Sequence, residues 1–431
     1  MHKKFTLSNG LRIITVPMAD TQTVTVLILV EAGSKYETRE INGVSHFLEH
    51  MTFKGTKKRP TPLHIAEPLD RIGGEYNAFT GQEYTGYYAK ADAKNLNLVM
   101  DIISDITLNP KFDEKEMNKE RGVILEEINM YADTPMRHIG DVWEKLLYGD
   151  TPAGWNIAGR KEVIIRLSRP DFTNYHDLHY IAPKMLMVVA GKINAGAVLN
   201  KAKTLFRGMK IGRHHGKTAV MEHQTRPILE IEKKKTDQTH IALGVRAYNL
   251  FDERRSALAV LATILGGGMS SRLFQMLRGK MGAAYYVRTS ADQTTDTGHL
   301  ATWAGIDNRR APEIIKAILN EYRAIRREKV GSNELTKAKE HLRGSLVLSI
   351  ETSDELASFY GFQEILKKEI NEPAVIIRKI DRVTAEDVRT VAQDIFQNKK
   401  LNLAMIGPFS AKDGSVLGGK DTKQFRNLLK I

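Results

Sequence analysis

Apolar and polar residues alternate along the chain in patterns that predict strands interleaved with amphipathic helices. The segments 185–191 and 401–407 are mostly apolar runs that end at a glycine, as expected of buried strands. Asn9-Gly10 lies between two apolar segments and predicts a hairpin, because these residues accept the positive φ angles of a tight turn. Strand pairs are followed by helix pairs, which favours an α+β fold with a mainly antiparallel sheet and helices packed on one face.

The chain contains an internal repeat. An offset of 216 residues aligns 166–172 with 382–388 without a gap, and the same offset aligns the two glycine-terminated strands. In each copy, a Ser or Thr followed three residues later by Asp predicts the capped start of a helix. These pairs are Ser168 with Asp171 and Thr384 with Asp387.

The repeat divides the 431 residues into two homologous domains, each long enough to bury its own core. We predict an N-terminal domain over residues 1–209 and a C-terminal domain over residues 227–431, joined by a linker over residues 210–226. The start of this linker is basic, is rich in Gly and His and has no periodic pattern of apolar residues, which is typical of an exposed connection.

Composition narrows the possible chemistry. The chain has no cysteine, which excludes disulfides and thiolate metal sites, so any metal must be held by His, Asp or Glu. The 64 basic residues exceed the 51 acidic ones but are scattered, so we predict no nucleic-acid partner. The longest apolar run, around 26–30, is far shorter than the roughly 18 residues of a membrane span. With no leader pattern at the N-terminus, we predict a cytoplasmic protein without membrane contact.

One segment carries a pattern that is typical of a metal site. His46 and His50 are four residues apart, so on a helix they project from one face and can bind one ion. Glu49 lies on the same face and completes an H-x-x-E-H motif, in which a carboxylate beside the metal takes a proton from a water. The motif predicts a metal-dependent hydrolase.

Such a site needs a third protein ligand from elsewhere in the chain. The segment 119–128 is a predicted helix with carboxylates at Glu120, Glu126 and Glu127. Glu120 and Glu127 are two turns apart on one face, so one can bind the metal while the other orients a ligand. Periodicity alone leaves Glu126 as a competitor of Glu127, and a solvated charged face is the simpler alternative for the whole cluster.

These residues resemble the pitrilysin/insulinase family of zinc metallopeptidases, especially its mitochondrial-processing-peptidase-like branch of two-domain chains. The resemblance runs through nearly the whole chain. It rests on an ordered series of motifs at 33–37, 46–56, 73–80 and 120–127. An ordered series of this kind is far more specific than H-x-x-E-H alone.

The resemblance assigns roles to the metal-site residues. It implies three ligands of one zinc ion per chain, namely His46, His50 and Glu127. It also implies that Glu49 is the general base. The ligand ends the family's E-R-x-V-I-L-x-E pattern, which selects Glu127 over Glu126 and leaves Glu120 in a supporting acidic position.

The family binds substrate as an added strand on a sheet edge near the metal, a mode in which backbone hydrogen bonds supply affinity. By resemblance this edge lies at 74–80, with Asn77, Ala78 and Phe79 as substrate-binding residues. The implied partners are therefore peptides or unfolded protein segments.

In complete family members, an Arg and a Tyr seven residues later reach the substrate from the second domain. Arg278 and Tyr285 have this spacing and would donate hydrogen bonds to the developing oxyanion. The second domain lacks the metal motif, so the resemblance implies a homodimer in which each chain's Arg and Tyr face the other chain's zinc across a closed chamber.

The sequence thus predicts a zinc-dependent endopeptidase of peptides or unfolded segments. Two alternatives remain, an inert structural subunit of the same fold and a processing peptidase that works only with an unlike partner subunit. The other histidines indicate no second metal site. His176 and His179 align with Ala392 and Ile395 in the repeat and are predicted to face the core, while His214-His215 falls in the linker.

Overall fold

The computed structural model describes residues 2–212, 216–409 and 420–431. Its strands are β1 (Lys3–Thr6), β2 (Arg12–Pro17), β3 (Thr23–Val30), β4 (Glu75–Thr80), β5 (Thr85–Asp92), β6 (Met185–Gly191), β7 (Ile228–Lys233), β8 (Gln238–Arg246), β9 (Ala284–Gln293), β10 (Gly298–Asp307) and β11 (Leu401–Gly407). Its helices are α1 (Val44–Thr52), α2 (Pro62–Asp70), α3 (Leu96–Leu108), α4 (Glu114–Ala132), α5 (Pro135–Tyr148), α6 (Lys161–Arg166), α7 (Arg169–His179), α8 (Ala195–Leu205), α9 (Arg255–Gly266), α10 (Arg272–Phe274), α11 (Ala311–Arg327), α12 (Ser332–Leu348), α13 (Ser353–Lys367), α14 (Pro373–Asp381), α15 (Ala385–Ile395) and α16 (Lys420–Leu428).

The chain forms two compact units, each with its own sheet. The first unit comprises Met1–Asn129, Trp155–Thr218 and Val347–Asn371. The second comprises Met130–Gly154, Ala219–Leu346 and Glu372–Ile431. Helix α5 therefore belongs to the second unit and α13 to the first. The predicted contiguous domains, at 1–209 and 227–431, do not contain this exchange of helices. The predicted linker histidines, His214 and His215, lie outside the described residues.

The sheet of the first unit is buried on both faces. Across the described ranges it has six strands in the order β1-β2-β6-β3-β5-β4, and β2 and β6 form its parallel pair. Alternate residues of β3 pack into separate cores, with Val26 and Ile28 beside α1 and α3, and Leu27 and Leu29 beside α13. The α+β fold is confirmed, but its helices do not cover one face alone. A continuously apolar strand such as β3 requires cover on both sides.

The second unit repeats the arrangement of the first. Its five described strands have the order β7-β11-β8-β10-β9, in which β11 is parallel to β7 and antiparallel to β8. In the first sheet, β6 is flanked in the same way, with β2 parallel to it and β3 antiparallel to it. Both helices that precede these strands begin with a capping box, at Ser168 with Asp171 and at Thr384 with Asp387. The internal repeat therefore specifies equivalent helix–strand units.

The N-terminal hairpin forms between β1 and β2, which pair in an antiparallel register. Its turn is wider than two residues, because Thr6 pairs with Arg12 and the Leu7 amide donates to the carbonyl of Leu11. Gly10 has a φ of 92°, the positive value that the Asn-Gly signal predicted. No helix in the described parts of the chain has the length and apolar character needed to cross a bilayer.

The close approach of α13 to its sheet gives a stability prediction. A Cβ atom at Gly361 would lie 2.9 Å from Cδ1 of Leu29, so Gly361→Leu overpacks this layer. We expect the free energy of unfolding to fall by about 1–3 kcal/mol. Gly122→Ala is the matched control, since Gly122 lies in the exposed part of α4 with no atom within 4 Å of a Cβ. It should raise that free energy by about 0.5–1 kcal/mol. Chemical denaturation followed by circular dichroism measures both, and equal stabilities would contradict the packing described.

Candidate metal centre

Helix α1 presents two histidines and a glutamate on one face. Its opposite face carries Phe47, Leu48 and Met51, which are fully buried in the core of the first unit. This amphipathic division fixes the rotation of the helix and turns His46 and His50 away from the core. Their imidazole rings lie 4.7 Å apart between centroids. The four-residue spacing therefore produces the shared face that the sequence predicted.

Helix α4 brings a third donor to these rings. Oε2 of Glu127 lies 3.7 Å from Nε2 of His46 and 3.6 Å from Nε2 of His50. The three side chains offer ligand atoms that all lie within 4.8 Å of one another, and no other group of His, Asp or Glu among the described residues converges in this way. Glu126, the competitor left open by periodicity, is exposed and is not part of the group.

The donor set fits a zinc ion. Two imidazoles and one carboxylate are ligands that zinc accepts, and three protein ligands leave a position open for water or substrate. Burial, together with the neighbouring His50, lowers the pKa of His46 to about 3, so its imidazole is neutral and one of its two ring nitrogens keeps a lone pair. Zinc binds histidine in this protonation state.

Glu120 and Lys54 hold the second histidine in place. Oε1 of Glu120 lies 2.9 Å from Nδ1 of His50, and its Oε2 lies 2.6 Å from Nζ of Lys54. Burial alone would lower the pKa of His50, but Glu120 and the nearby carboxylates outweigh burial and raise it. Burial likewise opposes ionisation of Glu120, whereas His50 and Lys54 bring its pKa below the usual range. A carboxylate at Nδ1 directs Nε2 of His50 towards Glu127 and would strengthen it as a ligand if a metal were bound.

Glu49 is oriented by the end of the neighbouring strand. Its Oε2 accepts a hydrogen bond of 2.6 Å from Oγ1 of Thr80, the last residue of β4. Burial raises the pKa of the Glu49 carboxyl, while Thr80 and His50 partly oppose that shift. A carboxyl group with a raised pKa is suited to taking up and releasing a proton near neutral pH.

Strand β4 is the edge of the first sheet and ends beside the metal-site residues. Among the described strands it pairs with β5 alone, in the register Asn77 with Tyr88 and Ala78 with Tyr87. The Ala78 amide donates to Oδ1 of Asn77, at 2.9 Å, instead of to a strand. The backbone of this edge is therefore available for another strand.

The ring of Phe79 is directed to the layer of α13. It packs against Tyr84 and Phe362 and covers Gly86, where a Cβ would lie 2.2 Å from the ring. Of the three predicted substrate-binding residues, Phe79 therefore directs its half-buried side chain into this layer.

Arg278 and Tyr285 both belong to the second unit. Arg278 lies in a π-helical turn, Gln275–Lys280, with its guanidinium 5.3 Å from the ring centre of Phe274. Tyr285 is the second residue of β9, the edge strand of its sheet, and 71% of it is exposed. Both side chains are accessible to solvent.

Three further residues contact the site without a signal in the sequence pattern, namely Thr80, Lys54 and Glu37. Thr80 positions Glu49, Lys54 contacts Glu120, and Glu37 accepts hydrogen bonds from the first turn of α1. All three lie inside the quoted motifs, but periodicity within one element carries no information about contacts between elements. The other predicted core histidines, His176 and His179, are half-buried and buried respectively.

Comparison with known proteins places the chain in a family. Residues 12–160 match the family described as insulinase (peptidase family M16), and residues 166–342 match the peptidase M16 inactive domain. The uncharacterized zinc protease YmxG of Bacillus subtilis is 35% identical over 408 residues, covering 95% of this chain and 98% of the relative. The uncharacterized zinc protease ML0855 of Mycobacterium leprae is 33% identical over 411 residues, covering 94% and 92%.

Solved structures share the fold. A protease from Helicobacter pylori superposes with a TM-score of 0.89 at 23% identity, covering 95% of this chain and 99% of that structure. A peptidase M16 inactive domain from Pseudomonas fluorescens superposes with a TM-score of 0.87 at 16% identity, covering 95% and 98%. With its two-unit α+β fold and its convergent His, His and Glu donors, the chain belongs to the insulinase family of peptidases, peptidase family M16.

Proposed function

We propose that the chain is a zinc-dependent endopeptidase that hydrolyses peptides or unfolded protein segments. The observation that carries the proposal is the convergence of His46, His50 and Glu127 beside Glu49, at the end of an open sheet edge. Two relatives that are similar over more than nine-tenths of this chain are named zinc proteases, which supports the choice of metal and of reaction.

The proposed mechanism assigns a separate task to each side chain. His46, His50 and Glu127 would hold the ion, and Glu120 would orient His50. A zinc ion supplies a Lewis acid that lowers the pKa of water and polarises a carbonyl. Glu49 takes the proton of the attacking water and passes it to the leaving amine, while Thr80 keeps its carboxylate aligned.

We propose that the substrate binds as an added strand along β4. Backbone pairing to an exposed edge is largely independent of side chains, so it suits extended substrates of varied sequence. Asn77, Ala78 and Phe79 would contribute through their backbone. A substrate strand would take over the Ala78 amide, which now donates to the side chain of Asn77.

Arg278 and Tyr285 complete the proposed site from a second copy of the chain. We propose a homodimeric chamber in which these two side chains would donate hydrogen bonds to the developing oxyanion of a substrate bound at the partner's site. Subunit complementation tests this arrangement. Mixed dimers of Glu49→Gln and Arg278→Ala chains contain one intact site, so activity should return on mixing two inactive preparations. No recovery after verified subunit exchange would contradict a shared site.

The Thr80 hydroxyl gives a graded prediction. Thr80→Val keeps the shape of the side chain but removes the hydrogen bond to Glu49, which leaves a buried carboxylate without its donor. We expect kcat to fall about ten- to a hundredfold with zinc affinity unchanged, since one such bond contributes about 1.5–3 kcal/mol to a charged group. Thr107→Val is the matched control, because that buried hydroxyl donates to the carbonyl of Ile103 within α3. Equal kcat in both variants would show that Thr80 does not align Glu49.

Metal removal tests the proposed activity itself. A pool of quenched fluorescent peptides is incubated with the zinc-loaded chain, the chelated chain and the chelated chain after zinc is restored. We expect cleavage by the zinc-loaded chain, no cleavage by the chelated chain, and recovered cleavage after zinc is restored. Cleavage that persists without metal would overturn the proposal. Zinc binding without cleavage would favour the inert-subunit alternative or the need for an unlike partner subunit.

A further inference from the structure

The first turn of α1 is held by a carboxylate from outside the helix. Gly43 is the N-cap residue, with a φ of 98°, and supplies no side chain to accept the free amides of the first turn. Glu37 supplies that acceptor instead. Its Oε2 receives the Gly43 amide at 2.8 Å, and its Oε1 receives the Ser45 amide at 2.9 Å. The helix start is therefore fixed immediately before the first metal-site histidine.

Glu37 is buried, and both of its carboxylate oxygens accept hydrogen bonds from the residues at the start of α1. It is 4% exposed, and it also accepts from the Asn42 side chain at 3.0 Å and from Oγ of Ser45. Burial raises the pKa of its carboxyl to about 7, while the donors from Ser45, Gly43 and Asn42 oppose that shift. No cation pairs with it within the described ranges 2–212, 216–409 and 420–431. Its hydrogen-bonding capacity is used almost entirely to hold the start of α1.

The residues that precede Glu37 hold the turn after β4. The Ser34 amide donates to the Gly81 carbonyl at 3.3 Å, and the Lys35 amide donates to the Gln82 carbonyl at 2.9 Å. A Cβ at Gly33 would lie 2.3 Å from the Gly81 carbonyl oxygen, so only glycine allows this approach. The turn follows directly on the residue that orients Glu49.

Lys35 adds a buried ion pair to the same turn. Its Nζ lies 3.1 Å from Oε1 of Glu83, and both side chains are almost completely buried. Glu83 also pairs with Lys217, at 2.6 Å. The segment 33–37 thus binds the β4–β5 turn at one end and the start of α1 at the other.

We propose that the segment 33–37 positions the site, setting the metal-binding helix through Glu37 and the strand that orients Glu49 through Gly33–Lys35. This inference deepens the proposed peptidase function, and its part on Glu49 rests on that function. The contact of Glu37 with α1 and the contact of Gly33–Lys35 with the β4–β5 turn have different consequences. Loss of Glu37 frees the turn that carries His46, which weakens metal binding. Displacement of the β4–β5 turn moves Thr80, which leaves the metal ligands intact and misaligns Glu49.

The test compares three variants of the full chain. Glu37→Gln keeps the size of the side chain, but its amide nitrogen cannot accept from both donors that now reach Oε2. Gly33→Ala forces the β4–β5 turn away. Glu364→Gln is the matched control, because Glu364 is an equally buried carboxylate that pairs with Arg12 and lies on α13, across the sheet from α1.

Zinc affinity, amide exchange and steady-state kinetics provide separate readouts. We expect Glu37→Gln to weaken zinc binding by about tenfold or more and to speed exchange of the Gly43 and Ser45 amides. We expect Gly33→Ala to keep the zinc affinity of the parent and to lose about ten- to a hundredfold in kcat. Glu364→Gln should lower the melting temperature without weakening zinc binding, speeding the exchange of these amides or lowering kcat. If Gly33→Ala does not fold, Lys35→Met tests the same contact with the β4–β5 turn. Glu83 would still be paired with Lys217 in that variant.

Two results would overturn the inference. One is parent-like zinc affinity and amide exchange in Glu37→Gln. The other is a loss of zinc affinity and of kcat in all three variants in proportion to their loss of stability, which is what a merely structural role produces. A parent chain that binds zinc but cleaves no peptide would remove the proposed function, and the zinc and exchange measurements would still decide the role of Glu37.

Discussion

Glu127→Ala is expected to lose zinc and, with it, all peptidase activity. Glu127 is the carboxylate of the donor group, and its Oε2 lies within 3.7 Å of Nε2 of both His46 and His50. Two imidazoles alone are an incomplete zinc site. Changing a residue that merely orients a ligand costs about 10- to 100-fold in metal affinity, so loss of a ligand should cost at least a hundredfold.

Glu126→Ala is the matched control for this substitution. Glu126 is the adjacent residue of the same helix, but it is exposed and outside the donor group. Competition with a chromophoric chelator measures both affinities. Parent-like affinity and activity are expected for Glu126→Ala. If the two variants exchanged these outcomes, the third ligand would be Glu126.

Glu49→Gln is expected to keep zinc and lose catalysis. The substitution preserves the shape of the side chain and an oxygen that can accept from Thr80, so the metal-site geometry should persist. It removes the carboxylate that we propose takes the proton. General acid–base catalysis contributes about 10²- to 10⁴-fold, and we expect kcat to fall by that factor.

Zinc content and peptide cleavage must be measured on the same preparation of Glu49→Gln. Bound zinc at one per chain, with cleavage reduced a hundredfold or more, would agree with the role of Glu49 as base. Cleavage at the parent rate would mean that another group accepts the proton. Loss of zinc would mean that Glu49 contributes to metal binding.

Much of the fold could be predicted from local sequence signals. The capping boxes at Ser168 and Thr384 begin helices where the repeat predicted them, and the strands that follow end at Gly191 and Gly407. Capping and strand burial depend on residues a few positions apart, so they are legible in one sequence.

The exchange of α5 and α13 between the units could not be predicted in the same way. A capping box marks the start of α13 at Thr352, but it does not state which sheet the helix covers. The apolar run in β3 indicated that its sheet needs cover on both faces, yet any amphipathic helix could have provided it. Trp143 of α5 is likewise buried against the second sheet, beside Ala242 and Ala404. Such pairings are long-range and follow from the whole fold.

The candidate site divides along the same line. The shared face of His46, Glu49 and His50 follows from helical spacing within one motif. The choice of Glu127 over Glu126 depended on the family resemblance, because both positions satisfy helical periodicity roughly equally. The contacts of Thr80 with Glu49 and of Glu37 with α1 join elements that are distant in sequence. They required the three-dimensional arrangement.

The most direct test of the proposed peptidase site is a crystal structure of the zinc-loaded Glu49→Gln chain with an uncleaved peptide. We expect zinc bound by Nε2 of His46, Nε2 of His50 and the Glu127 carboxylate, with the peptide paired as a strand along β4 and its scissile carbonyl at the zinc. Zinc held by other residues, or a peptide bound away from β4, would contradict it.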